Sequence, residues 1–521
     1  MDVQDEEDDS PVLGRFDAMR QALPSPSRTH TSSPSVISNS ASIRNWQSSH
    51  RRTPPNHTRL RTVASSSSSA ISGGSTGSTE VISIRSNTDS AGSGGSESSV
   101  LFLVGGLQGE MTQAGRSDSR IDSYMAKVYN FARESELNIH RLITAGVVNL
   151  LISLLRRRAA SNRGLEVVLI TLGVLSHDSI SANLICRTQT AKTLIQLCSP
   201  RYSDEIVTLS LWCLNRICRN TEAASGLLKL DIVPAIKQLA TEGMLPTMAV
   251  YCLGTLIQSD AHADMMESLD VIPYITRYLR RNSQNNAGSE DKCAGLYAIA
   301  RLSRSIKLAK ALARAGCIPL LTFNLRDSRD PDVLNWSARA IGCLMRPNSV
   351  DMARSLLDAG AAEGLARLPT VLAPGCLEPL ESFGFAIQRF SCAEWGKATR
   401  VALLDAGVID SLLAALRTAA IEPCNEVQAA LALGISLLGD VGGSVIRREI
   451  VNAGGINILK DVGSRGSSDV SRACEMAVTS ITGNVLTRNA ARTAMLHNWI
   501  GGCPDHQPSC PLELTIENRP R

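Results

Sequence analysis

Three residue pairs in this sequence set an arginine four positions after an aromatic ring: Trp212 with Arg216, Tyr297 with Arg301, and Phe385 with Arg389. Residues four apart share one face of a helix, so each pair would present a guanidinium beside a ring. The guanidinium is a planar fork that fits carboxylate or phosphate, and a neighbouring ring supports its plane by stacking. This is chemistry for binding anions. Two other groups invite comparison. The run Arg156, Arg157, Arg158 closes an apolar helical stretch, where cations complement the negative end of the helix dipole. Cys503, His506 and Cys510 bring three zinc-ligand types together, but four-coordinate zinc needs another ligand and a supporting shell. No metal is expected there. Walker A, HExxH, GxSxG and kinase signatures are absent, so the chain reads as a binding protein with no cofactor and no enzymatic activity.

Elements must exist to carry such pairs, and composition narrows them. Hydrophobic residues reach 43% but aromatics only 4%, an apolar mass of Leu, Ile, Val and Ala that suits stacked helices. The formal charge of +4 is far from the basic stripe of a nucleic-acid binder, so no specific nucleic acid is expected. All 14 cysteines lie from Cys186 onward, mostly within apolar helical runs, which points to a reducing compartment. The N-terminus MDVQDEEDDS is acidic and so unlike a secretory or transit peptide, and Asp2 excludes N-myristoylation. No apolar run reaches the roughly 18 residues of a membrane span. The expected location is the cytoplasm, the nucleus or both.

Residues 1–118 are rich in Ser, Thr, Gly, Pro and Arg and are expected to form a disordered arm, because they offer too little apolar area to offset chain entropy. One apolar island, VLFLV from Val100 to Val104, interrupts it. Within the arm Ser10, Ser25, Ser33 and Thr53 each precede proline and are candidate phosphorylation sites. Residues 501–521, rich in proline and polar side chains, read as a disordered tail.

Between these ends a phrase recurs: ITAGVVNLLISLL from Ile143, ARAGCIPLLTFNL from Ala313, LDAGVIDSLLAAL from Leu404. Its copies anchor at Ala145, Thr188, Leu230, Leu269, Ala315, Ala359, Ala406 and Ala453. Those anchors are 39 to 47 residues apart, the period of helical repeats. Each copy predicts a short helix, a sharp Ala-Gly bend, a second helix, a polar loop and a longer third helix. Glycine suits the bend because it tolerates positive φ. Asp231 and Asp270 replace that glycine in two degenerate copies and are expected to cap the second helix. Residues 121–144 and 487–500 read as partial repeats closing the two ends.

On these phrases residues 121–500 resemble the armadillo-repeat family. The resemblance implies an all-α, right-handed superhelical solenoid over 119–500, about eight repeats plus end caps, whose third helices line a concave groove. In members of the importin alpha type, a Trp and an Asn four residues later recur on successive third helices and grip an extended peptide. The aligned positions here hold Trp212 and Arg216, Tyr251 and Thr255, Tyr297 and Arg301, Arg339 and Cys343, Phe385 and Arg389, and never Asn at the second place. The expected function is therefore an adaptor or scaffold that holds extended acidic or phosphorylated segments of other proteins, lined by Trp212, Arg216, Tyr251, Tyr297, Arg301, Arg339, Phe385 and Arg389. A nuclear-transport cargo adaptor of the importin alpha type is the alternative. On the first reading the three arginines are solvent-facing, and reversing their charge leaves the fold intact.

Overall fold

The computed structural model describes residues 94–483, apart from 113–117, 162, 177, 188, 242, 244, 286, 346–348, 392–396 and 422–423. The phosphorylation candidates, the Cys503 group, the 487–500 cap and the tail lie outside the described residues. Every regular element among the described residues is a helix. The chain divides into two compact units, with the boundary at Val147 and Val148.

The described part of the smaller unit comprises α1 (Gly94–Thr112), α2 (Asp118–Glu134) and α3 (Glu136–Thr144). Here the reading of residues 1–118 as a disordered arm is corrected over residues 94–112. The apolar island belongs to α1, which buries Val100, Leu103, Val104 and Leu107, a stripe at the helical i, i+3, i+4, i+7 spacing. It packs on α2, whose Ile121, Met125 and Val128 are fully buried. Gly106 lets the helices close, because a Cβ there would stand 2.3 Å from the Tyr124 ring. Ser135 begins α3, its hydroxyl accepting the Asn138 N–H at 3.2 Å, the usual N-cap bond.

From Ser179 onward helices follow in threes, such as Thr221–Leu228, Ile232–Thr241 and Pro246–Thr255, except that the set ending in Glu378–Phe390 carries a fourth short helix, Leu368–Val371. A ladder is formed by α4 (Leu165–Leu175) and the last members of these sets, α5 (Asp204–Ile217), α6 (Pro246–Thr255), α7 (Ser289–Leu302), α8 (Pro331–Leu344), α9 (Glu378–Phe390), α10 (Asn425–Val441) and α11 (Ser468–Thr482). Each of these ladder helices packs on the next in sequence. The bends expected from Ala-Gly are present, with Gly316, Gly360, Gly407 and Gly454 at φ of 82, 86, 69 and 75°. Asp231 and Asp270 adopt the same left-handed conformation, φ 57 and 51°. For Asp270 this corrects the capping expectation: its side chain makes no cap bond, because an N-cap side chain reaches the helix from extended backbone. Asp substitutes for glycine here as one of the few residues that tolerate that region.

The ladder helices are the core of this unit. Every residue from Pro379 to Phe390 is buried, so α9 is enclosed on all sides. Most of the described cysteines behave as small core residues: burial pushes the Cys213, Cys317 and Cys474 thiols up to about 12. Among the described residues no helix is long and apolar enough to cross a membrane.

Candidate functional site

All eight residues singled out for a partner groove lie on the ladder helices, but the geometry differs from an open ladder. Each aromatic of the three pairs sits over a glycine of the preceding ladder helix. A Cβ on Gly173 would be 2.1 Å from the Trp212 ring, one on Gly254 2.8 Å from Tyr297, and one on Gly342 2.6 Å from Phe385. The rings therefore fill space that only a missing side chain opens, and they couple α4 to α5, α6 to α7 and α8 to α9. Tyr251 continues the aromatic packing, its ring centroid 5.7 Å from that of Tyr297, and Trp336 meets Tyr297 edge-on at 4.9 Å.

The arginines follow their rings inward. Arg216, Arg301 and Arg389 are only 4, 6 and 3% exposed, which corrects the expectation that they stand on an open surface. Arg301 shows why. Its Nη2 donates to the carbonyl of Ile257, just beyond the C-terminus of α6, and lies 3.4 Å from Gln258 Oε1. Gln258 in turn donates to Thr255 O at 2.5 Å, and the Thr255 hydroxyl shares a 3.2 Å hydrogen bond with Tyr297 OH. Carbonyls at a helix C-terminus lack intrahelical partners, and a cation there also meets the negative end of the dipole. Both members of the Tyr297–Arg301 pair thus close the end of the neighbouring helix.

The other pairs vary. Arg216 stacks on Trp212 at 5.3 Å, as its spacing predicts. The Phe385 ring is covered at 4.9 Å by Arg339 of α8, whose Nη2 also reaches Glu381 at 3.3 Å. Arg158 of the triple-arginine run is buried and donates to Gly164 O at 2.5 Å, while Arg156 and Arg157 are exposed. Two donors in the row stand out: Trp212 Nε1 and Arg301 Nε are closed from solvent without a hydrogen-bond acceptor.

Charge is distributed along the ladder helices by end. Carboxylates gather at N-termini, including Glu166, Glu205, Glu290, Asp332 and Glu378, and arginines at C-termini, including Arg216, Arg301 and Arg389. Both complement the helix dipoles. The acids crowd one another: burial, then Glu166, raises Glu205; burial, then Asp291, raises Glu290; burial, then Asp330 and Glu378, raises Asp332.

One pair outside the ladder has the composition of a catalytic dyad. Ser225 Oγ and His262 Nε2 are 2.6 Å apart. His262 Nδ1 lies 3.3 Å from the Gln258 nitrogen, whose N–H also bonds Leu256 O at 3.1 Å. The Ser225 hydroxyl donates to Thr221 O at 3.0 Å. The Ser225–His262 contact ties two neighbouring helices. Burial, with Arg304 adding to it, holds His262 below its ordinary 6.5. The folded state then binds fewer protons here than the unfolded state, so this contact's stability is complete above about pH 6.5 and is lost as pH falls through the folded value. Urea melts from pH 7.5 to 5 are expected to show His262→Gln losing less stability on acidification than the natural chain. The raised carboxylates titrate in both proteins, so the difference isolates the histidine; parallel slopes would show that His262 does not titrate on unfolding.

Several of these residues escape a reading by motif. Gly173, Gly254 and Gly342 sit in helix interiors, where glycine costs about 1 kcal/mol relative to alanine; that placement is the signal for a close approach. Thr255 and Gln258 carry no such signal.

No family model matches this sequence, and no curated protein matches it. Among solved structures, the crystal structure of an engineered protein, a structural-genomics consortium target, aligns with a TM-score of 0.58 at 17% identity, covering 77% of this chain and 100% of that one. Two further engineered proteins from the same consortium align at 18 and 16% identity with TM-scores of 0.36 and 0.37. They cover 56 and 57% of this chain and 97 and 100% of their own. The first likeness shows an all-helical, repeat-like fold.

Proposed function

We propose that the larger unit is an armadillo-type right-handed solenoid that acts by binding, as an adaptor or scaffold, in the cytoplasm or nucleus. Its ligand is an extended acidic or phosphorylated segment of another protein, held along the arginine-bearing ends of the ladder helices. The regular threefold succession of helices supports the solenoid reading. One observation supports the ligand class: arginines, Arg216, Arg301 and Arg389 among them, gather at the C-terminal ends of the ladder helices and make those ends positive. These arginines select against basic ligands.

Fluorescence anisotropy of the full chain at low salt with labelled acidic, phosphoserine-containing and lysine-rich peptides tests this. The acidic and phosphorylated peptides are expected to bind and the lysine-rich one to remain free. Equal binding of all three peptides, or none, would overturn the reading. Preference for the lysine-rich peptide would favour the importin alpha type of cargo adaptor instead.

A further inference from the structure

We propose that the helices Val271–Gln284, Ile306–Arg314 and Cys317–Asp327 together form a surface that docks on a membrane leaflet rich in anionic lipid. Each of the three packs on the other two, and their outer faces are cationic. Arg277, Arg280 and Arg281 are exposed on the first helix, at spacings that put them on one face. Lys307, Lys310 and Arg314 do the same on the second, and Arg326 is exposed on the third. Against these cations the three helices carry one carboxylate, Asp327. Unlike Arg216, Arg301 and Arg389, they stand in solvent, and among the described residues none of them makes an ion pair. Arg280 Nη2 lies 3.5 Å from Ala315 O, beside Arg314, so the cations of the first two helices form one patch. Helix Asp260–Glu267, which packs on both, bounds it with acids, of which Asp260 meets Arg304 at 3.7 Å and Asp264 accepts the Ser305 hydroxyl at 2.8 Å.

Charge alone would suit an acidic polypeptide equally. What favours a lipid surface is a pair of apolar side chains on the same helices: Ile306 is 49% and Phe323 48% exposed. Ile306 adjoins Lys307, and Phe323 stands one turn before Arg326. An acidic segment offers carboxylates and little that would cover these two. A leaflet offers phosphates at its surface and acyl chains just beneath. Lysine and arginine stems are long enough to keep their charges among the headgroups while shorter apolar side chains enter. A patch spread over three helices also meets a plane of headgroups more fully than a single extended strand. Each cation near an anionic leaflet adds attraction that fades within a Debye length, so the association is peripheral and weakened by salt. It needs no membrane-spanning helix, and it engages a different face from the ladder-helix ends proposed to hold partner segments.

The test is cosedimentation of the full chain at low salt with vesicles of phosphatidylcholine alone and of phosphatidylcholine and phosphatidylserine in equal parts. The natural chain is expected to bind the mixed vesicles and leave the neutral ones. A variant carrying Arg277→Gln, Arg281→Gln, Lys307→Gln and Lys310→Gln removes side chains that hold no partner among the described residues, and is expected to bind the mixed vesicles at least tenfold more weakly. Circular dichroism and a thermal melt check that it is folded. A control with Arg156→Gln and Arg157→Gln, exposed cations elsewhere, is expected to bind like the natural chain. Phe323→Ser leaves every charge in place and is expected to weaken vesicle binding several-fold, a loss that salt does not mask. Failure of the natural chain to bind mixed vesicles overturns the proposal, as does undiminished binding by the quadruple variant. If that variant keeps its vesicle binding and instead loses a labelled acidic peptide, the patch belongs to protein segments and the lipid assignment is wrong.

Discussion

Gly384→Val is expected to be among the most destabilising single substitutions in the chain, removing about 3 kcal/mol or more from the packing of α9 against α10. A Cβ at Gly384 would stand 2.9 Å from the carbonyl carbon and oxygen of Ala430 and 3.0 Å from the Leu431 nitrogen. These are backbone atoms of a helix buried along its length, so no rotamer change can make room. Gly434 faces the same contact, its Cβ position 3.2 Å from Gly384 O. In a body where each repeat leans chiefly on its neighbours, loss of one interface uncouples what lies beyond it. Thermal unfolding of the variant is therefore expected to split into two transitions or to begin well below that of the natural chain. Gly109→Ala serves as the contrast: nothing lies within 4 Å of its Cβ position, and alanine in a helix interior should add about 0.5–1 kcal/mol. A Gly384→Val chain that melts like the natural one would show that α9 and α10 do not approach this closely.

That contrast also marks what was readable from the residues alone. The succession of helices was legible because the Ala-Gly phrase repeats and because glycine has a physical reason to occupy a left-handed bend, as Gly316 and Gly454 do. Helix α1 was hidden by its surroundings: Gly94, Gly95 and Ser96 lead into it and Gly105, Gly106 and Gly109 lie within it, so composition read as arm while Val100, Leu103, Val104 and Leu107 kept helical register. The arginines were misplaced for a different reason. A spacing of four says that Trp212 and Arg216 share a face, but not whether that face meets solvent or the neighbouring helix. The information that decides it lies one repeat earlier, in Gly173, Gly254 and Gly342, and only a comparison of successive repeats connects those glycines to the rings.

Arg301→Glu is the second substitution with a large expected effect, and its direction reverses the expectation from the aromatic–arginine spacing. An exposed groove arginine would tolerate charge reversal with a change of about 0.5 kcal/mol or less. Arg301 is buried, and its Nη2 supplies the Ile257 carbonyl at the end of α6. A glutamate would remove that donor, leave Ile257 O and Gln258 Oε1 without it, and set a carboxylate among carbonyl oxygens at the negative end of a helix dipole. Breaking a buried charged contact from one side costs about 3–5 kcal/mol. Much of this would be lessened at low pH, since a carboxylate in such surroundings takes up a proton. Arg301→Lys keeps the cation but loses the planar fork, and should fall between the glutamate variant and the natural chain. Urea unfolding of the three proteins at neutral pH is expected to rank them Arg, Lys, Glu in falling midpoint, with the Glu variant recovering part of its deficit at pH 5. Three equal midpoints would mean that the guanidinium faces solvent, and would restore Arg301 to the open surface that its spacing alone suggests.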